Sequence, residues 1–229
     1  MDPNDAKQDF DSFILQSLQA LIDNSANSVY AFMTSAIAPR PIALVSTRNN
    51  PEWTADKTES INLAPFSYFN AVSSEPACIM LSFVNKDMKR SNSEAEKKDT
   101  IRNIEHYREF VVHGVTEANW EKVNQTSGDF PYGVSELAQV GWTVTPSQII
   151  STPRITEATL AMECTLYKTL NIGEGTTGVT IEAIHAAEDV LDEKGRVDVE
   201  KYKPVGRLGG PQYATVGKVL KAIRPKIQK

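Results

Sequence analysis

The sequence predicts a mainly β (α+β) fold, a β-barrel with peripheral helices, on three observations. Apolar, β-branched runs recur at Pro41 to Thr47, Ala77 to Val84, Phe110 to Val115, Thr159 to Leu170 and Val179 to Val190. Helical patterns are few and do not alternate with the strands, which disfavours a parallel α/β sheet. The chain has 229 residues, 41% hydrophobic and 23% charged, enough for one domain with a substantial core.

Taken in order, Phe10, Phe13, Ile14, Leu18, Leu21 and Ile22 stand at helical spacing, with Asp9 or Asp11 as a start and Asn24 to Ser28 as a break. Pro41 to Thr47 is the first strand and ends in the hydroxyls Ser46 and Thr47. A second strand begins at Ser60 and meets Pro65, which has no N–H to give a ladder, so pairing is expected to break there and leave backbone groups free at a cleft. Phe66, Ser67, Tyr68 and Phe69 follow, rings interleaved with a hydroxyl, a composition suited to a planar, polar-edged ligand. Ala77 to Val84 is apolar on both faces and reads as a central strand.

Asn85 to Lys98 is a charged loop of 14 residues, either a functional segment or a solvated insertion. Thr100 to Arg108 reads as a short helix capped by Asp99 or Thr100. After the strand Phe110 to Val115, Ala118 to Gly128 and Ser135 to Gly141 read as helices around a turn at Phe130-Pro131-Tyr132-Gly133, outside the barrel. Thr159 to Leu170 and Val179 to Val190 form a hairpin across Gly173 to Gly178, and the acidic turn Asp192 to Gly195 ends it. Val216 to Lys229 is basic and reads as a surface helix up to Arg224-Pro225. The organisation expected is a helical extension over 1–27, the barrel domain over 28–216 and a basic tail over 217–229.

Several function classes are disfavoured. A net charge of −5 and the absence of a basic stripe argue against nucleic-acid binding. No apolar run reaches membrane-spanning length and Met1 to Asp11 is no secretory signal, so a soluble, cytoplasmic protein is expected. Cys78 and Cys164 lie in apolar runs and read as buried reduced thiols, the alternative being a disulfide or a redox pair. His106, His113 and His185 are scattered without metal-ligand spacing, so no metal is expected. No P-loop, no nucleophile elbow and no G-x-G-x-x-G after a strand is present, so a nicotinamide nucleotide would not sit in a Rossmann domain.

Four groups of residues resemble a known family: Pro39-Arg40-Pro41-Ile42-Ala43 with Val45-Ser46-Thr47; Asn62-Leu63-Ala64-Pro65-Phe66-Ser67; Lys98-Asp99-Thr100 with Asn103-Ile104; and Arg207-Leu208-Gly209-Gly210 with Tyr213. They are similar, in the same order, to motifs of the flavin reductase-like proteins with an FMN-binding split barrel, in the branch of flavoprotein oxygenase reductase components. From Arg40 to Tyr213 the resemblance spans about three quarters of the chain. It implies a Greek-key split β-barrel, bound FMN, NADH or NADPH as electron donor, a homodimer and an oxygenase partner.

Lys98 and Thr100 match the family's phosphate-side motif, and their chemistry agrees: a cation, a hydroxyl and a helix start suit a phosphate. Asn62, Leu63 and Ala64 offer backbone groups to the flavin ring, and Ala64 is small enough to let the ring approach. Ser46, Thr47 and Ser67, with Ser82 on the next strand, suit ribityl or phosphate oxygens. Hydride transfer to a flavin demands no dedicated acid or base, so no catalytic residue is assigned. Arg40, Arg207 and Tyr213 belong to the motifs without a role that their chemistry alone decides. The implied activity is NAD(P)H-dependent flavin reduction feeding an oxygenase or small acceptor. The alternatives are a non-catalytic flavin-binding protein and an FMN enzyme acting directly on a small organic substrate.

Overall fold

The computed structural model describes residues 26–57, 59–84, 97–172, 175–177, 180–223 and 225. The helix expected at Phe10 to Ile22 and most of the charged loop after Asn85 lie outside them. Helix α1 (Ala26–Ala36) carries no charged residue and begins within the stretch expected to break helical structure. Its Thr34 and Ser35 hydroxyls bond back to the carbonyls of Tyr30 and Ala31. Its last turn has no basic residue of its own. Arg40 supplies one from beyond, donating to the carbonyls of Thr34 and Ile37 and, from Nη2, to Leu208 O at 3.0 Å. The Arg40 guanidinium therefore closes the end of α1 and ties it to a distant turn.

Strands β1 (Arg40–Pro41), β2 (Ala43–Asn49), β3 (Ser60–Phe66), β4 (Phe69–Ser74) and β5 (Ala77–Val84) follow. Next come α2 (Asp99–Tyr107), β6 (Glu109–Gly114), α3 (Trp120–Gln125) and α4 (Glu136–Val140). The remaining elements are β7 (Val144–Thr145), β8 (Arg154–Ile155), β9 (Leu160–Thr165), β10 (Leu170–Ile172), β11 (Gly175–Thr177), β12 (Thr180–Ala186), α5 (Val199–Tyr202), β13 (Val205–Arg207) and β14 (Tyr213–Thr215). The main sheet has five antiparallel strands in the order β12-β9-β6-β2-β3. A four-stranded sheet runs β10-β11-β5-β4, and a small ribbon runs β1-β13-β14. β12 also lies beside β5, which brings the two larger sheets together as a mainly β split barrel.

Two apolar layers bury the main sheet on both faces. Val45, Phe66, Leu81, Phe83, Ile104, Phe110 and Val112 fill the barrel interior. Leu44, Leu63, Val115, Val123, Trp142 and Ile155 fill the layer beneath α3 and α4. β2 and β6 are the strands closed in on both sides, which explains their continuous apolar runs. β5, expected to be apolar on both faces, leaves Met80 38% exposed, so its outer face is only half covered. Cys78 and Cys164 are buried free thiols, as the apolar runs around them suggest.

The long hairpin expected across Gly173 to Gly178 is divided. β9 pairs with β12 in the main sheet, whereas β10 and β11 pair with each other and β11 continues onto β5. The C-terminal helix expected from Val216 is absent among the described residues, where 216–223 run without helical structure. Leu220 and Ile223 are 82% and 96% exposed, and without tertiary packing so short a helix is marginal. No helix of the described residues is long and apolar enough to cross a membrane.

Candidate functional site

β3 is the edge strand of the main sheet, and the site is built along its outer edge. The Leu63 N–H points away from β2 and donates to Glu136 Oε2 at 2.8 Å. Pro65, two residues on, has its ring nitrogen on the same outer side. The strand therefore does not break at Pro65: Leu44 and Pro65 stand opposite in the register and pairing continues to Phe66. Proline is tolerated because the N–H it lacks would have faced outward. The expected opening is there, but as the flank of a strand rather than its end.

Three lobes of one cleft meet around Pro65 and Phe66. The largest encloses about 720 Å³ and is lined by Tyr30 from α1, Ser67 and Tyr68 from the β3–β4 turn, Ser82 and Val84 from β5, Lys98, and Asp129 to Pro131. A second lobe of about 160 Å³ reaches Asn62, Ala64, Asp99, Thr100 and Glu136. A third of about 180 Å³ reaches Ile42, Val123, Arg207 and Tyr213. The largest lobe lies in the range of small-ligand and cofactor sites.

Asn62, Ala64 and Phe66 alternate onto one face of β3, where α2 packs against them. Asn62 Nδ2 donates to Thr100 Oγ1 at 2.9 Å, so these two nearly buried groups form a bonded floor. Lys98 occupies the N-cap of α2 and provides no side-chain cap, correcting the expectation that Asp99 or Thr100 would do so. The ammonium of Lys98 stands 5.8 Å from the centre of the Phe66 ring, and among the described residues it makes no ion pair. Ser67 Oγ likewise has no hydrogen-bond partner among the described residues. An anion arriving at this end of the cleft meets a cation, a hydroxyl and the first turn of a nine-residue helix.

Of the residues singled out in the sequence, Asn62, Ala64, Ser67, Ser82, Lys98 and Thr100 line the cleft. Ser46 and Thr47 do not. Ser46 donates to Pro153 O at 3.2 Å, and Thr47 Oγ1 accepts from Asn103 Nδ2 at 3.0 Å, both fully buried. β2 has a neighbour on each side, so its hydroxyls cannot reach the open edge. The Leu63 side chain is core, and only its N–H faces the cleft side. Arg40 is committed to carbonyls, which answers its ambiguity in the sequence.

Sequence reasoning missed Tyr30, Asp129, Phe130 and Glu136. The ring of Phe130 stood in a turn expected outside the barrel, and α1 was not anticipated at all. Glu136 is 5% exposed and opens the short α4. Burial pushes its carboxyl up to about 7; hydrogen bonds from Leu63 N–H and its own N–H oppose the rise, and Asp99 adds to it. An isolated glutamate after a serine carries no sequence signal of such an environment. Among the described residues no cluster fit to hold a metal ion occurs.

The residues at the cleft fit FMN: a cation and a hydroxyl at a helix start suit the phosphate, and the rings of Phe66, Tyr68 and Phe130 suit a flat apolar ligand. The family model described as "Flavin reductase like domain" matches residues 34–200. A protein of Aquifex aeolicus (strain VF5) is 36% identical over 192 residues, covering 83% of this chain and 91% of its own. Among solved structures, nitrilotriacetate monooxygenase component B from Bacillus cereus aligns with a TM-score of 0.77 at 30% identity, over 86% of this chain and 94% of that one. The 2-nitrobenzoate 2-nitroreductase NbaA of Pseudomonas fluorescens aligns at 0.72 and 33% identity, over 88% and 92%.

Proposed function

The chain belongs to the flavin reductase like domain family, and from that premise we propose that it is an FMN-dependent oxidoreductase using NADH or NADPH as electron donor. When bound, FMN would supply the redox chemistry that links the nicotinamide donor to a partner oxygenase or a small organic acceptor. The chain's own residues bind and orient. Lys98, Ser67 and the start of α2 take the phosphate; Ala64 and Phe66 set the bed of the ring; Tyr68 and Phe130 keep water from it. The observation that carries this reading is the Lys98 ammonium, without an ion pair among the described residues, set beside aromatic walls at the helix start.

The oxygenase partner is favoured by the likeness to a monooxygenase component, the small organic acceptor by the likeness to a nitroreductase. FMN should bind more tightly than riboflavin by about 2 kcal/mol or more, the scale of charge-assisted hydrogen bonds to the phosphate. Fluorescence titration of both flavins decides this, and equal affinities would sink the phosphate assignment. Oxidation of NADH or NADPH by the flavin-loaded protein then separates an enzyme from a non-catalytic flavin carrier.

The working unit we propose is a homodimer. Phe32 and Met33 of the uncharged helix α1 and Ile37 just beyond it are 50%, 42% and 55% exposed, and Val72, Met80 and Ile184 are open on β4, β5 and β12. Apolar surface of this kind marks interfaces, and two-fold pairing is the commonest closure. The buried area should be on the order of 2,000 Å² or more. Because Tyr30 of α1 also lines the cleft, flavin occupancy should fall as the dimer dissociates. Light scattering after size exclusion at micromolar and nanomolar protein, with flavin fluorescence in parallel, tests it. A dilute monomer that keeps full FMN affinity would show that one chain completes the site.

A further inference from the structure

The third lobe of the cleft contains a second cation. Arg207 ends β13, and its guanidinium lies 4.4 Å from the centre of the Tyr213 ring. Its Nη2 donates to Gly210 O at 2.7 Å. The turn between them is braced: Gly210 adopts φ +58, and Leu208 O accepts from Arg40. The Tyr213 ring is itself fixed, donating from its hydroxyl to Asn124 Oδ1 at 2.8 Å and packing on Trp120 at 5.2 Å. The head group is thus held by a ring below and a carbonyl at one edge, which leaves most of its five donors unused. No carboxylate among the described residues pairs with Arg207.

This lobe shares Tyr30, Pro65, Phe66 and Ser67 with the main cavity, so the two adjoin. Lys98 lines the other lobes and not this one; Arg207 lines this one alone. One cleft with two cations on separate walls, neither ion-paired among the described residues, offers two anion positions. The helix start beside Lys98 accounts for the flavin phosphate and leaves the Arg207 position without an occupant.

We propose that Arg207 binds the anionic group of the second substrate, the small molecule that exchanges electrons with the flavin, so that carboxylate- or phosphate-bearing molecules are preferred over neutral ones of equal size. The proposal rests on the flavin reading of the cleft. A planar fork held over a ring meets either oxyanion in a bidentate pair without first being ordered. Tyr213 is the positioning residue for that fork.

The test uses the FMN-loaded protein and the variants Arg207→Gln and Arg207→Lys. FMN affinity is measured first, by fluorescence titration, and should stay within twofold of wild type in both. Binding of NAD⁺, NADP⁺, benzoate and the neutral benzamide is then followed by perturbation of the flavin absorption spectrum. Arg207→Gln should weaken at least one anionic probe tenfold or more while leaving benzamide unchanged, and Arg207→Lys should recover part of the loss. A response of the dinucleotides alone identifies a nicotinamide nucleotide phosphate as the anion; a response of benzoate alone identifies a carboxylate substrate. A tenfold loss of FMN affinity in Arg207→Gln overturns the proposal and gives this residue to the flavin. Equal binding of every probe to wild type and Arg207→Gln overturns it as well. Wild-type protein that binds no FMN defeats the flavin reading itself, and this inference with it.

Discussion

Replacing Glu163 with alanine should destabilise the protein by about 3–5 kcal/mol, the cost of breaking a buried charged pair by deleting one partner. Glu163 on β9 is fully buried, and its carboxylate holds an entire loop against the main sheet. Oε1 accepts from Gln148 N–H at 2.8 Å, and Oε2 accepts from Ile149 and Ile150 N–H at 2.8 and 3.3 Å. His185 Nε2 stands 2.6 Å from Oε1, and Arg154 Nε is 3.7 Å away. Burial alone would raise this carboxyl; the bonds from Gln148, Ile149, His185 and Ile150 outweigh it and hold the group below the usual range, hence ionised. Alanine leaves three N–H groups without an acceptor, each costing about 1 kcal/mol or more when buried. Urea unfolding followed by tryptophan fluorescence measures the loss. Glu163→Gln keeps one acceptor oxygen and should fall between the two. A loss below about 1 kcal/mol in the alanine variant would mean that water replaces the carboxylate and the loop needs no clamp.

The barrel strands were legible because burial on one or both faces writes itself into composition. Ala43 to Val45 of β2 and Phe110 to Val112 of β6 run apolar where they are sandwiched, and those positions follow from that alone. What local composition cannot record is which edge a strand presents. By composition Pro65 reads as a stop, yet it sits at a register position where the missing N–H faces outward and costs nothing. The same blindness divided the long hairpin, since the transfer of β11 from β9's sheet to β5 is a tertiary choice. Helix α1 escaped notice because it has neither charge nor cap signal, and its C-terminal carbonyls are satisfied by Arg40, four residues beyond its last turn.

The site was legible where its residues carry a shared chemical demand. Lys98 and Thr100 at a helix start, and Asn62 and Ala64 on one face of an edge strand, do converge on one cleft. Ser46 and Thr47 were misplaced because a hydroxyl at a strand's end reads the same whether that strand is central or at an edge; Ser46 bonds Pro153 and Thr47 accepts from Asn103. The other wall, Asp129 to Pro131, comes from a loop more than sixty residues away from β3, a proximity that spacing does not encode. Glu136 is harder still: its chemistry is created by burial against Leu63, and nothing in its neighbours' identity announces that.

Stability between pH 6.5 and 4.5 should be nearly flat in the wild-type protein, because two buried groups oppose one another there. His113 is fully buried, with Nδ1 3.0 Å from Leu44 O and Nε2 accepting from Ile155 N–H at 3.0 Å, an arrangement that requires the neutral ring. Burial lowers its pKa from 6.5 to about 4; the Leu44 carbonyl opposes the shift, and Arg154 adds to it. The unfolded chain therefore takes up a proton near 6.5 that the folded chain refuses until about 4. Its contribution is fully present above 6.5 and is lost as pH falls, about 3 kcal/mol across the window at about 1.4 kcal/mol per pH unit. Glu136 has the opposite sign. Its folded pKa of about 7 exceeds the ordinary 4.5, so the folded chain holds the proton first and stability rises as pH falls through the same interval, by a comparable amount. Removing either group should expose the other. Glu136→Gln should lose stability steadily on acidification from 6.5 to 4.5, and His113→Gln should gain it. Urea midpoints at half-unit steps of pH for the three proteins measure the slopes. Parallel profiles for wild type and both variants would mean that neither group keeps its unusual protonation state in the folded chain.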